Sequence, residues 1–355
     1  MNQRLEHLVS EFDNYRIDGF LVTDGLNMKY LTGFDGGTGD GVVLVTPGTA
    51  TIITDSRYEA ALMHPGAGID VSITRNYLPR ATQLAKQLGV TVLGFESSLS
   101  YHGYDQLDDL SEADIVGLDN VVETLRQQKD PAEIDQLKLA GERTVVGLES
   151  VLGKIHAGVS ERQVAAWLDA TMRDLGASGP SFETIVASGD RSALPHGAAT
   201  DKLLATGDLV TIDCGYYFNG YTSDMTRTYS IGQPDPGLMR VSTVVKSAHE
   251  AIQQAIRVGV SGAELDRVGR RIIEDAGYGP AFNHGTGHGI GLAVHEGPAL
   301  SAGSTDKLPL NAVVTVEPGI YLLNRGGVRL ENDYLVTESG SENLTDSPLD
   351  VIRLD

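Results

Sequence analysis

Cysteine is almost missing from this 355-residue chain. Cys214 stands alone, which excludes an internal disulfide framework and fits a reducing compartment. No stretch approaches the ~18 unbroken apolar residues that a membrane-spanning helix needs, so no membrane partner is expected. Basic residues are scarce too: 27 Lys and Arg face 48 Asp and Glu, a formal net charge of −21. Phosphate binding needs clustered Lys and Arg, so nucleic acid is not an expected partner. Much of the acidic excess reads as a solvated surface that aids solubility, and the rest is available to hold cations. The first residues lack a basic segment followed by an apolar block. The rhythm of Leu5, Leu8, Val9 and Phe12 reads as an amphipathic helix instead of a signal peptide, so a cytoplasmic location is expected. Low-complexity tracts, charge blocks and short-period repeats are also lacking.

What is present is an ordinary apolar content of 41%, enough for a full core, and a length that suggests two domains of ~150 residues. In the first third, 20–24, 41–45, 49–55 and 90–96 read as strands, and 57–63, 78–88 and 120–128 as helices, giving an α/β domain. Asp130, Pro131 and Glu133 then supply an N-cap, a proline at the first helical position and an acid three residues beyond the cap. The boundary is placed there, with domains 1–127 and 128–355. The second domain carries helices around 132–155, 160–176, 238–258 and 262–276, and its two halves each read as helices plus hairpins.

Three segments carry chemistry. In 208–228, two β-runs flank Asn219-Gly220, a dipeptide suited to a tight hairpin because both positions tolerate positive φ. That loop sets Asp213 opposite Thr226 and puts Asp224 on the same face, diagonal to Asp213. Two carboxylates side by side on a buried face raise one another's pKa, and a cation between them removes the cost; otherwise they are solvent-facing acids near a turn. In 282–298, His284, His288 and His295 lie within twelve residues of a glycine-rich stretch, where imidazoles can ligate metal or move protons. In 313–322 and 326–337, a second apparent strand pair around the loop 323–327 places Glu317 and Glu331 inside apolar runs. A glutamate there is costly unless paired or coordinated, so each marks either an ion pair or a ligand. Arg329 shares the face of Glu331 and could pair with one of these acids or with a substrate carboxylate. Four carboxylates and one imidazole suit hard divalent ions, and a charge of about −4 would be balanced by two of them. Two such ions ~3.5–4 Å apart activate water for hydrolysis.

The ordered set Asp213, Asp224, His288, Glu317 and Glu331 resembles the metal-binding set of the pita-bread metallopeptidases, which include methionine aminopeptidase, prolidase and aminopeptidase P. The likeness covers about 131–355 and rests on DxG…GYxSDxTRT, HGTGHGIGxxxHExP, TVEPGIY and GVRxEN. It implies an α+β pita-bread catalytic domain behind a creatinase-type α/β domain, for which LNMKYLTGF (26–34) is similar. It also implies that Asp213 holds one metal, that Asp224 and Glu331 bridge both, and that His288 and Glu317 hold the second. Glu317 would take a proton from the bridging water. By the same resemblance, His196 contacts substrate and handles protons, His295 steadies the tetrahedral intermediate, His284 lines the substrate pocket, and Arg329 stands beside the last ligand. The cofactor expected is a pair of divalent ions, Mn2+ first, with Co2+ or Zn2+ as alternatives. Creatine hydrolysis is not expected, because creatinase lacks the ligand set that is complete here. Asn332 departs from the Asp that many members carry after the last ligand.

The stretch SALPHGAATDKLLATGDLVTIDCG (192–215) resembles short bacterial aminopeptidases P, so cleavage of Xaa–Pro bonds at peptide N-termini is the leading expectation, ahead of an Xaa–Pro dipeptidase. A methionine aminopeptidase-like exopeptidase and a non-catalytic binding module are the further alternatives. Relatives with this amino-terminal domain associate through it, which implies a homodimer.

Overall fold

The β-branched runs of the first 126 residues pair into one six-stranded sheet. Its order is Ile69–Ile73, Thr49–Thr54, Gly41–Thr46, Gly19–Val22, Val92–Glu96 and Asp114–Leu118. Gly19–Val22 and Gly41–Thr46 are buried throughout, as strands covered on both faces must be. The computed structural model describes every residue from Met1 to Asp355 and divides into two compact units, Met1–Arg126 and Gln127–Asp355. Residues 57–63, expected as a helix, form successive turns instead. Asp55 Oδ1 accepts the backbone N–H of Arg57 at 2.9 Å, and this local side-chain-to-backbone bond competes with helix formation. No helix in the chain is long and apolar enough to cross a membrane.

The second unit opens on helix Pro131–Val151, where Asp130 and Glu133 close a reciprocal capping box. Helices Glu161–Asp174, Pro236–Ala255 and Gly262–Asp275 follow. Each pair of helices is followed by an antiparallel sheet. The first sheet runs Ile352–Leu354, Met225–Ile231, Leu209–Cys214, Ile185–Ser188, with only the outer Ile352–Leu354 parallel to its neighbour. The second runs Glu296–Leu300, Gly287–Gly289, Val313–Val316, Asn332–Thr337, Gly340–Asn343. A separate hairpin joins Gly319–Leu322 to Gly326–Arg329.

These halves are two copies of one design. The second helix of each pair begins at a serine N-cap with a capping box, Ser160 with Gln163 and Ser261 with Glu264. Ahead of each cap a left-handed glycine, Gly158 or Gly259, donates its N–H to a leucine carbonyl, Leu204 or Leu308, at 2.8 Å in both cases. From those leucines the chain runs in step through Val210-Thr211-Ile212-Asp213 and Val314-Thr315-Val316-Glu317. Asp213 and Glu317 therefore occupy equivalent places at the ends of equivalent strands.

Alternation along Leu209–Cys214 fixes which side chains meet the site. Val210, Ile212 and Cys214 pack against Leu148, Val151, Val164, Leu168 and Met172, each apolar burial contributing about 1.5–3 kcal/mol. Thr211 and Asp213 point to the opposite face.

Candidate metal centre

The hairpin around Asn219-Gly220 holds the first two acids. Both turn residues have positive φ, 51° and 86°, and Asp213 lies opposite Thr226. Asp224 sits just before the strand Met225–Ile231, and its backbone N–H donates to Asp333 Oδ2 at 2.9 Å.

Glu317 and Glu331 sit differently from the expectation. Residues 313–322 do not form one strand: Pro318 cannot donate to a ladder, and the run breaks at Glu317-Pro318. Val316 pairs with Asn332 in the five-stranded sheet, while Gly319 pairs with Arg329 in the separate hairpin. Both glutamates thus fall in the break between two sheets, where their backbone N–H groups donate to the Thr286 and Thr226 carbonyls at 2.8 and 3.1 Å. The hairpin loop is Leu323–Arg325, shorter than the expected 323–327.

The glycines around His288 serve close approach and not turning, since none of Gly285, Gly287, Gly289, Gly291 and Gly297 has a left-handed φ. A Cβ on Gly287 would lie 2.1 Å from the Thr315 carbonyl oxygen, so only glycine lets this strand lie against its neighbour. His288 is held by its backbone N–H to Thr315 Oγ1 at 3.1 Å. Its Nδ1 lies 3.1 Å from the Gly289 carbonyl, which assigns the proton to Nδ1 and turns the Nε2 lone pair toward the acids.

The side chains converge. His288 Nε2 is 3.6 Å from Glu317 Oε1 and 3.8 Å from Asp224 Oδ2. One donor atom each from Asp224, His288 and Glu331 lies within 4.8 Å of the others. Thr226 Oγ1 donates to Glu331 Oε2 at 2.6 Å and accepts from Arg329 Nε at 3.2 Å. Arg329 Nη2 donates to Asp213 Oδ2 at 2.6 Å, leaving Asp213 Oδ1 buried with no donor. A cavity of about 200 Å³ opens on this cluster, lined in part by His196, Asp213, His284, His288, Glu317 and Arg329.

So many acids cannot all be charged at once in a dry site. Burial pushes Asp224 well above the usual carboxylate range, with Glu331 and Asp213 adding repulsion. Burial and Glu331 do the same to Glu317. Glu331 is pushed up to about 8 by burial and then by Asp213. Burial also lowers His288 to about 4, keeping its imidazole neutral and able to ligate. Buried carboxylates that repel one another, an unsatisfied Asp213 oxygen and a neutral imidazole together fit divalent cations, whose charge would replace protons.

The remaining site residues take distinct places. His196 is exposed at the cavity. His284 is locked: its Nδ1 faces the Gly285 carbonyl at 2.7 Å and its Nε2 meets Tyr321 Oη at 2.8 Å. His295 is exposed and is not among the residues lining the cavity, its ring centroid 4.4 Å from that of His288. Sequence reasoning passed over Tyr321, whose hydroxyl links His284 to Arg329 Nη1 at 3.0 Å. It also passed over Thr226 as the donor to Glu331, and Asp333 as the acceptor for Asp224. The hairpin register was the signal for Tyr321: with Gly319 opposite Arg329, Tyr321 falls diagonal to the arginine on the same face.

Comparison with known proteins agrees with this architecture. Residues 135–338 match metallopeptidase family M24, and residues 4–128 match the creatinase/prolidase N-terminal domain. A solved Xaa-Pro dipeptidase from Bacillus anthracis superposes with a TM-score of 0.96 at 40% identity, covering 99% of both chains. An X-Pro aminopeptidase from Thermotoga maritima superposes with a TM-score of 0.90 at 36% identity, over 98% of this chain and 99% of that one. An Xaa-Pro dipeptidase from Pyrococcus horikoshii is 35% identical over 354 residues, 99% of each chain.

Proposed function

The chain belongs to metallopeptidase family M24, and from that premise we propose that it hydrolyses Xaa–Pro dipeptides with divalent cations held by Asp213, Asp224, His288, Glu317 and Glu331. The observation that carries this reading is the clustering of four carboxylates and one neutral imidazole, from separate stretches of chain, with Asp213, His288 and Glu317 lining one cavity and Asp224 and Glu331 buried beside it. The order of preference set by sequence is reversed. Two of the relatives described above are named Xaa-Pro dipeptidases, against one X-Pro aminopeptidase. A cavity of about 200 Å³ also lies below the ~300–1,000 Å³ of larger ligand sites, which supports a short substrate.

When bound, the cations supply Lewis acidity and an activated water. The chain's own side chains do the rest. Glu317 reaches the cavity and, with its proton affinity raised by burial, takes the proton of the attacking water. Arg329 is fixed by Asp213, Thr226 and Tyr321 and offers its charge to the substrate carboxylate. His196 faces the substrate and delivers a proton to the departing proline nitrogen. His284, with both nitrogens engaged, serves as a wall and not as a proton donor. The role of steadying the tetrahedral intermediate, which the resemblance gives His295, requires the substrate to extend past His288, its ring neighbour at 4.4 Å.

Mn2+ is the ion we assign, ahead of Co2+ or Zn2+, because oxygen donors dominate the set. The lone, buried Cys214 supports a cytoplasmic location. The homodimer implied by the resemblance would appear as twice the monomer mass in light scattering. The deciding assay is a peptide panel with chelator-stripped, Mn2+-reconstituted protein. Cleavage of Xaa-Pro dipeptides without Xaa-Pro-Yaa tripeptides is expected. Cleavage of tripeptides returns the assignment to aminopeptidase P, and cleavage of Met-Ala-Ser alone removes the proline specificity.

A further inference from the structure

The segment that carries His196 is an arch with both feet on one buried carboxylate. It leaves the strand Ile185–Ser188, passes the cavity at Pro195 and His196, and returns at Thr200. Glu161, the first residue of helix Glu161–Asp174, is fully buried beneath it. Glu161 Oε1 accepts from the backbone N–H and the Oγ of Ser188, both at 2.8 Å. Oε2 accepts from the backbone N–H of Thr200 at 3.1 Å and from its Oγ1 at 2.6 Å. Arg191, on the rising limb, donates from Nε to both oxygens at 3.3 and 3.1 Å and sends Nη2 on to the Ala198 carbonyl at 2.6 Å. The donors fill the roughly four acceptor positions of a carboxylate. From the cavity side, Arg329 Nη1 holds the Pro195 carbonyl at 3.2 Å.

The internal duplication provides a control. The position equivalent to Glu161 is Gly262, where a Cβ would lie 1.9 Å from the Ala299 carbonyl oxygen. There the helix start abuts the neighbouring backbone directly, and Asp306 Oδ2 takes the Ala299 N–H at 2.9 Å. The fold can therefore close this junction without a glutamate. Only the copy that carries the arch has one.

We propose that Glu161 is a positioning residue for hydrolysis, setting where Pro195 and His196 stand against the substrate without touching substrate or cation. This rests on reading His196 as a substrate-contacting residue. Glu161→Gln turns one acceptor oxygen into an amide donor facing donors that already point at it, so the arch should loosen at a foot. A misplacement of about 1 Å can cost roughly 10²-fold.

The test uses the full-length, Mn2+-loaded protein and an Xaa-Pro dipeptide. In E161Q, kcat/KM should fall on the order of tenfold or more, through kcat as well as KM because His196 both contacts substrate and delivers a proton, with bound Mn2+ per chain unchanged. His196→Ala, costly in the natural background, should add less than about threefold on top of E161Q, because coupled residues are not additive. Hydrogen exchange should quicken in 188–200, including the Ser188 and Thr200 amides that donate to Glu161, and not elsewhere. Thr200→Val removes one donor at nearly constant shape and should move every readout the same way by less, which covers a failure of E161Q to fold. An unchanged kcat/KM, loss of Mn2+, full additivity with H196A, or unchanged exchange in the arch would each overturn the proposal. Should the natural protein cleave no Xaa-Pro peptide, the substrate reading fails while the exchange measurement still decides whether Glu161 holds the arch.

Discussion

Stripping the cations from this centre should make its acids bind protons, and restoring them should expel those protons. Glu331, pushed up to about 8, is roughly nine-tenths protonated at pH 7. Asp224 and Glu317 are raised well above the ordinary range by burial and by Glu331. Ligands must be deprotonated to bind, so loading Mn2+ at pH 7 should release between about one and about three protons per chain. Calorimetric titration in buffers of different ionisation enthalpy counts them. The same shifts fix the sign of the stability change. In the stripped protein these carboxylates hold protons when folded and lose them when unfolded between the unfolded values, about 4, and the raised folded value of about 8. Stripped-protein stability therefore falls as pH rises through that window, by about 1.4 kcal/mol per pH unit for each proton of difference. The loaded protein should lack that fall, because its ligand carboxylates are ionised in both the folded and the unfolded state above about pH 5. The two Tm curves should diverge above about pH 5. Zero proton release at pH 7, with a level Tm for stripped protein across that window, would refute the reasoning, since the carboxylates would then be ionised without a cation.

Glu317→Gln should lower kcat by about 10²–10⁴-fold, and metal analysis of the same sample separates loss of the base from loss of a ligand. Thr226→Val deletes the hydroxyl that donates to Glu331 while keeping its shape; Mn2+ affinity should drop about 10–100-fold in a chelator competition. Unchanged affinity would mean that Glu331 needs no such partner. Gly287→Ala forces a Cβ to within 2.1 Å of the Thr315 carbonyl oxygen. Urea unfolding should report a loss of about 1–3 kcal/mol, and a neutral result would show that the strands can separate there.

The helices of the second unit were legible because their signals are local: Asp130, Pro131 and Glu133 act within four residues of one another. The hairpin at Asn219-Gly220 was legible for the same reason, and its geometry fixed the pairing of Asp213 with Thr226. The turns at 57–63 were misread because an apolar rhythm outweighed the local bonding of the Arg57 backbone to Asp55. The second strand pair was misread because one proline, Pro318, divides it between two sheets, and which sheet each piece joins is decided by distant strands.

Composition and motif order alone determined which donor types were available for a cation and in what sequence they occur, because those are properties of the chain. Tertiary structure decided their partners: Arg329 on Asp213 across 116 residues, Thr226 on Glu331 across 105, and Glu161 beneath the arch of His196. Backbone periodicity fades within a few residues, so contacts of that separation exist only once the sheets have packed and set the distances.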